Sequence, residues 1–561
     1  MSLRGEARDH TGGYSPGQRG WCANTNRVFA PSEPGPQLNS GQPECTSLSG
    51  RCTMSISTFS LAGAAPFRGN QMRSFVQDRI DDLRELIGRS TMKDKILVNG
   101  FVWGTREPLV SAIDYDDFAN RLVDALGRTK GDFRAEASFA MTATATRGAY
   151  EFHTPDLNDP LETKWALLLP SENKEAKDIA TALKPLVEHR KGEVIYGPQS
   201  GDLGSLEEWV INEYTQKLDE ERPYYILMAG RPDTLPFRFQ YLLDVHAAVG
   251  RLCFDRLDDY ANYAKKVVDF ETKDEHAVQK RALFFAPEHE DDEPTYLSRH
   301  YMTDPLVARV QEKGVPVSYL AAEEATLANL LTTLRGGAGS KAPALLYTAS
   351  HGLGVPGANE EARQRLQGAI CCQDYDGNAG VFCADRIPDD SFLHGSIVLT
   401  FACYGAGTPK DSDFFHWIRD PSLLKCRPDK DFVAALPKRL VAHPQGPLAF
   451  VGHIDPAWVH CFANPAHISN DKGWGSRMGP FRLAVEHLLD GATVGYAVKR
   501  FNEVYSLLSV RLANMEDQFR RDATRGQDSK WTRDMVDTWI TRNDTQNFIV
   551  LGDPAVKAKM T

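Results

Sequence analysis

Two stretches decide the reading of this chain: Ala344-Leu345-Leu346-Tyr347-Thr348-Ala349-Ser350-His351-Gly352 and Ile397-Val398-Leu399-Thr400-Phe401-Ala402-Cys403-Tyr404-Gly405-Ala406-Gly407. Each is an apolar run of strand length that delivers one reactive side chain and then glycine. Cys403 follows His351 by 52 residues, which leaves room for one crossover connection, so the two runs can be neighbours in a parallel sheet. Neighbouring strands lie about 4.8 Å apart, so side chains at both tips can meet in one cleft.

Working outward, the same grammar recurs on both sides. Strand patterns at 165–169, 194–196 and 224–229 alternate with helical patterns at 176–187, 206–218 and 257–270. A second series places strands at 282–286, 315–319, 344–348, 397–401, 448–451 and 548–551. Helices are expected at 305–311, 322–334, 481–489 and 494–512. Alternating strands and helices predict parallel sheets flanked by helices. The expected division is 1–60 as a disordered segment rich in Gly, Pro, Ser, Asn and Thr, 61–159 as an amino-terminal region without assigned role, 160–275 as one α/β unit and 276–561 as another. Within 61–159, helices are expected at 73–88 and 115–126, and the stretch from 129 to 160 reads as polar and irregular.

Composition bounds the function. The 561 residues are 42% hydrophobic and 25% charged, the balance of a globular protein of two or three domains. A net charge of −11 argues against nucleic acid as the main partner. Ten cysteines without a C-x-x-C pair give no zinc pattern and fit reduced thiols in a cytoplasm. No run of about 18 apolar residues occurs, and no apolar segment follows a basic start, so neither a membrane span nor a secretory signal is expected. There is no phosphate loop and no H-E-x-x-H helix. The acidic run Glu288–Glu293 lacks an EF-hand pattern and reads as a solvated face. No cofactor and no metal are expected.

The chemistry of the two strand ends is that of thiol peptidases. A cysteine attacks as its thiolate. A histidine can take the thiol proton and return it to the leaving amine. Backbone N–H groups of Gly352 and Cys403 can hold the oxyanion. Caspase histidines also lie about 50 residues before their cysteine.

With these motifs the chain resembles the gingipain-like cysteine peptidases, which share the caspase-type fold. Tyr347-Thr348-x-x-His351-Gly352 resembles their histidine motif and Phe401-Ala402-Cys403 their cysteine motif. Tyr225–Pro236, Val249-Gly250-Arg251-Leu252 and Ile549-Val550-Leu551-Gly552-Asp553-Pro554 resemble flanking parts of the same proteins. The resemblance covers roughly 160–561 and implies an α/β fold: a caspase-like catalytic sheet flanked by helices, preceded by a related non-catalytic α/β subdomain. It implies a cysteine endopeptidase acting on protein or peptide substrates through a thioester. It places Glu288 as the carboxylate that orients His351. It also implies a pocket for Arg or Lys before the cut, lined by Asp455 and Trp458. The unmatched amino-terminal region favours a regulated protease, self-processing or specific for one target, as in bacterial defence, and offers a surface for a regulatory partner. A silent scaffold of the same fold is the other alternative.

Overall fold

The structure is a computed structural model. It describes residues 95–128, 156–218, 220–335, 342–357, 359–390, 392–412, 414–463, 477–525 and 531–561. All of these belong to one unit, Asp82–Thr561; the other unit, Met1–Asp81, lies outside them, as do the expected disordered segment 1–60 and the expected helix at 73–88.

Nineteen strands are described. The amino-terminal region supplies β1 (Lys95–Ile96), β2 (Val98–Val102) and β3 (Ile113–Asp114), followed by a helix over Tyr115–Arg128. Next come β4 (Trp165–Leu169), β5 (Glu193–Tyr196), β6 (Tyr225–Ala229) and β7 (Ala248–Leu252). They are followed by β8 (Gln279–Ala286), β9 (Val317–Ala321), β10 (Pro343–Ala349), β11 (Gly352–Gly354), β12 (Ile370–Cys371), β13 (Val381–Phe382) and β14 (Ile397–Phe401). A small ribbon pairs β15 (Gly407–Thr408) with β16 (Phe432–Val433), and the chain ends with β17 (Ala449–His453), β18 (Ala457–Trp458) and β19 (Phe548–Gly552).

Ten strands form the central sheet, in the order β5-β4-β6-β7-β19-β17-β14-β10-β8-β9. Every pairing is parallel except that of β17 with β19. The sheet therefore has two parallel halves running in opposite senses. All residues of β4, β6, β7, β10, β14, β17 and β19 are buried, because helices cover both faces of such a sheet and demand continuous apolar strands. This is the mixed α/β class with a large, mostly parallel, helix-flanked sheet.

The last strand connects the two halves differently from the expectation of separate units at 160–275 and 276–561. β19 runs parallel to β7 of the first half (Val550↔Gly250, Leu551↔Arg251) and antiparallel to β17 of the second. A buried ion pair reinforces this join: Arg190, which caps the carboxyl end of the helix Lys174–His189 between β4 and β5, bonds Asp553 just past β19 at 2.8 Å and Glu271 at 2.6 Å. The helix expected at 206–218 is observed as Leu203–Trp209 continued by a wider π turn over Val210–Thr215. Among the described residues no helix is long and apolar enough to cross a membrane.

Candidate active site

The register of the central sheet aligns the two reactive side chains. β10 pairs with β14 from Leu345↔Ile397 to Ala349↔Phe401, and the Ser350 N–H continues the ladder onto Phe401 O at 3.1 Å. Two residues further along each strand stand His351 and Cys403. Their backbones close tightly there: a Cβ on Gly352 would lie 1.9 Å from Cys403 O, so only glycine fits. Both side chains are buried, His351 at 1% exposure and Cys403 at 0%.

Cys403 is presented by a sharp turn. Tyr404 takes the left-handed conformation (φ 57°), uncommon for a side chain of its size. Three backbone bonds hold that turn: Tyr404 N–H to Asp455 O, Gly405 N–H to Ala402 O and Ala406 N–H to His453 O. The Cys403 Sγ accepts from the Ala457 N–H at 3.1 Å and donates to Asn99 O. Burial pushes the thiol well above its ordinary pKa; the Ala457 N–H opposes this, while the charges of Asp544 and Asp455 add to it. In this arrangement the thiol is neutral.

The carboxylate at His351 is Asp292. Its Oδ2 lies 2.7 Å from His351 Nε2. An ionised carboxylate only accepts hydrogen bonds, so Nε2 carries a proton, and in the neutral ring Nδ1 holds the lone pair. His351 Nδ1 is buried and has no hydrogen-bond partner among the described residues. Burial alone would raise the Asp292 carboxyl, but His351 and the Thr295 bonds outweigh it and bring it down to about 2. Asp292 is also the N-cap of the helix Glu293–Ser298, accepting from the Thr295 N–H at 3.0 Å. One carboxylate thus ties the helix to the imidazole. A second imidazole, His289, stacks at 5.8 Å from the His351 ring. Burial and the neighbouring His351 hold it down at about 3, so it is a neutral wall.

Glu288, expected in the orienting role, is engaged elsewhere. Its carboxylate binds Arg299 at 2.5 Å and His300 at 3.1 Å. The physical reason is the turn at 288–292, where Asp291 is left-handed (φ 58°) and the chain folds back so that Asp292 faces the imidazole. The acidic run, expected to be a solvated face, carries one signal for an inward carboxylate: Asp292-Glu293-Pro294-Thr295 is a helix-start pattern with proline in the first turn.

Asp455 and Trp458 do not form a cation pocket between them. The Trp458 ring is fully buried, 4.6 Å from the Phe414 ring and 5.9 Å from that of Phe118, which leaves no face for a ligand. Its backbone N–H is held by Asp544 at 2.9 Å. Asp455 is 1% exposed, and its charge reaches Cys403 and Tyr404. Among the described residues no group of three His, Cys, Asp or Glu side chains is placed to hold a metal ion.

Fold and site together describe an α/β protein that sets a buried thiol and a carboxylate-held imidazole on adjacent parallel strand ends. No protein-family profile matches the chain, and no curated protein does. Among solved structures it is similar to the Arg-specific cysteine proteinase gingipain R, with 11% identity over 72% of this chain and 80% of that one and a TM-score of 0.41. A structure described only as a protease is similar at 13% identity, covering 73% and 81% of the two chains, with a TM-score of 0.42. Likenesses this remote carry nothing about activity, which rests on the residues themselves.

Proposed function

We propose that the protein is a cysteine endopeptidase in which Cys403 is the nucleophile and His351 the base. His351 takes the Cys403 proton on Nδ1, and the sulfur attacks a peptide carbonyl carbon. The C–N bond breaks as the imidazolium returns the proton to the leaving amine. Water, deprotonated by His351, then cleaves the thioester and regenerates the thiol. The N–H groups of Gly352 and Cys403 serve the oxyanion, and Asp292 positions the imidazole and fixes its tautomer. The observation that carries this reading is the Asp292–His351 bond, which leaves a buried, unpartnered Nδ1 at the end of the strand that pairs with the one leading to Cys403.

A reducing compartment suits this chemistry, and the seven described cysteines are all free thiols. Substrates are proteins or peptides. A regulated, self-processing protease is favoured over a general one by a specific observation: the chain's own β2 lies against Cys403. The test is alkylation of Cys403 by iodoacetamide together with hydrolysis of a peptide-amide panel. A chain that is alkylated at Cys403 and hydrolyses peptides is a peptidase. One whose Cys403→Ala form hydrolyses them equally well uses another nucleophile, and one that hydrolyses none even when β2 is displaced by Val98→Pro is a scaffold.

A further inference from the structure

β2 runs through the site as a substrate would. It lies between β11, which leaves His351, and β18, which follows Asp455. It pairs in parallel with β11 (Gly100↔Gly352, Phe101↔Leu353) and antiparallel with β18 (Asn99↔Ala457, Val98↔Trp458). An extended peptide binds such a groove by adding a strand to exposed edges, and here one segment of the chain already satisfies both.

The bond between Asn99 and Gly100 lies at the thiol. Asn99 O accepts from Cys403 Sγ, and a Cβ on Gly100 would stand 3.1 Å from that sulfur and 3.2 Å from Gly352 O. Asn99 is fully buried, and its Nδ2 donates to Ser350 O at 2.7 Å. On the far side the Phe101 ring covers the imidazole, with centroids 3.9 Å apart.

We propose that β2 is a substrate-like plug, that the groove takes asparagine before the cut and glycine after it, and that the chain cleaves itself between Asn99 and Gly100. This deepens the peptidase reading and rests on it. Ser350 O is an acceptor and requires a donor from the residue before the cut. Asparagine supplies one, whereas aspartate would set oxygen against oxygen at Ser350 O. Arginine and lysine are donors too, but their stems outreach a fully enclosed position. Glycine follows because a Cβ there would crowd the Cys403 sulfur, the Leu109 side chain and Gly352 O at 3.1–3.2 Å. In the observed arrangement the thiol proton is held by Asn99 O, so the bond is engaged and uncut. Cleavage turns that carbonyl toward the N–H groups of Gly352 and Cys403. Sγ then bonds the Asn99 carbonyl carbon, the bond to Gly100 nitrogen breaks, and the thiol proton passes through His351 to that nitrogen. Water releases Asn99 as a carboxylate and restores the thiol.

The test uses the full chain in four forms: wild type, Cys403→Ala, Asn99→Asp and Val98→Pro, the last to break the extended run of β2 through the fixed φ and missing N–H of proline. Wild type should yield, by intact mass and N-terminal sequencing, a fragment beginning at Gly100 that Cys403→Ala and Asn99→Asp do not. Val98→Pro should be alkylated by iodoacetamide at Cys403 at least about tenfold faster than the uncut wild-type chain. It should hydrolyse Asn-Gly peptides at least about tenfold faster than Asp, Arg or Lys counterparts, the discrimination of a site built around one hydrogen bond. Should Val98→Pro not fold by circular dichroism, Phe101→Ala takes its place. Equal alkylation of the uncut wild-type chain, resolved by intact mass, and of the variant overturns the plug. Hydrolysis that prefers Arg or Lys overturns the asparagine pocket, and a wild type without the Gly100 fragment overturns self-cleavage; in both cases the peptidase reading stands. Fast alkylation without hydrolysis of any peptide overturns that reading and this inference together.

Discussion

Asp292→Asn is the substitution that most sharply separates Asp292 from Glu288. Asparagine keeps the size of the side chain, but the Thr295 N–H and His351 Nε2 meet the same oxygen, Oδ2, at 3.0 and 2.7 Å. The amide puts either its NH2 there, so that Nε2 must accept, the ring proton moves to Nδ1 and the Thr295 cap is lost, or its oxygen there, so that both bonds remain but the imidazolium loses its counter-charge. In a Ser-His-Asp triad the same exchange costs about 10⁴ in kcat; a loss of about 10³–10⁴, or about 4–5.5 kcal/mol, is expected here with KM little changed. Stability should also fall. The carboxyl drops from its ordinary 3.8 to about 2 on folding, worth about 2 kcal/mol. Because the folded pKa is the lower one, that contribution is complete above about pH 4 and is lost as pH falls through about 2. Urea unfolding at pH 7 should therefore show the variant less stable, and the gap should narrow below pH 4. Kinetics are best measured in the Val98→Pro chain, where the groove is open. Glu288→Gln should change kcat less than about threefold, since that carboxylate serves Arg299 and His300. The reasoning is refuted if Glu288→Gln costs as much as Asp292→Asn, or if Asp292→Asn stays within tenfold of its parent.

Gly352→Ala forces a Cβ to 1.9 Å from Cys403 O, so the oxyanion donors shift and kcat should fall by about 10² or more, with circular dichroism reporting whether the fold survives. Trp458→Ala should cost about 3–5 kcal/mol in urea unfolding, because its ring fills a core position between Phe414 and Phe118; a loss confined to substrate binding would restore it to the pocket. Asp455→Asn removes a charge that raises the Cys403 thiol, so the pH profile of alkylation should move to lower pH; an unmoved or raised midpoint contradicts that electrostatic account.

What could be read from the sequence follows from where its physical causes lie. β10 and β14 are continuous apolar runs because both faces of their sheet are covered, and such runs are visible locally. Their register, and with it the placement of His351 beside Cys403, follows from one crossover. Asp292 was hidden because an acidic run is ordinarily solvated, and only the left-handed Asp291 turns one of its members inward. Trp458 misled because its partners, Phe118 and Phe414, come from distant parts of the chain. β2 was missed altogether: Val98-Asn99-Gly100-Phe101-Val102 carries Asn-Gly, the strongest short turn signal, at its centre. It is a strand only because β11 and β18 offer it two edges, which is tertiary context. The join of β19 to β7 is likewise long-range, between residues about 300 apart, and no local pattern encodes it.

The central claim, that Cys403 performs peptide hydrolysis with His351, is tested most directly by peptide-amide turnover in the Val98→Pro chain with and without Cys403→Ala. A loss of at least about 10³ in kcat/KM is expected, leaving only what binding and oxyanion donors supply. A Cys403→Ala chain that retains a tenth or more of the turnover of its parent would contradict it.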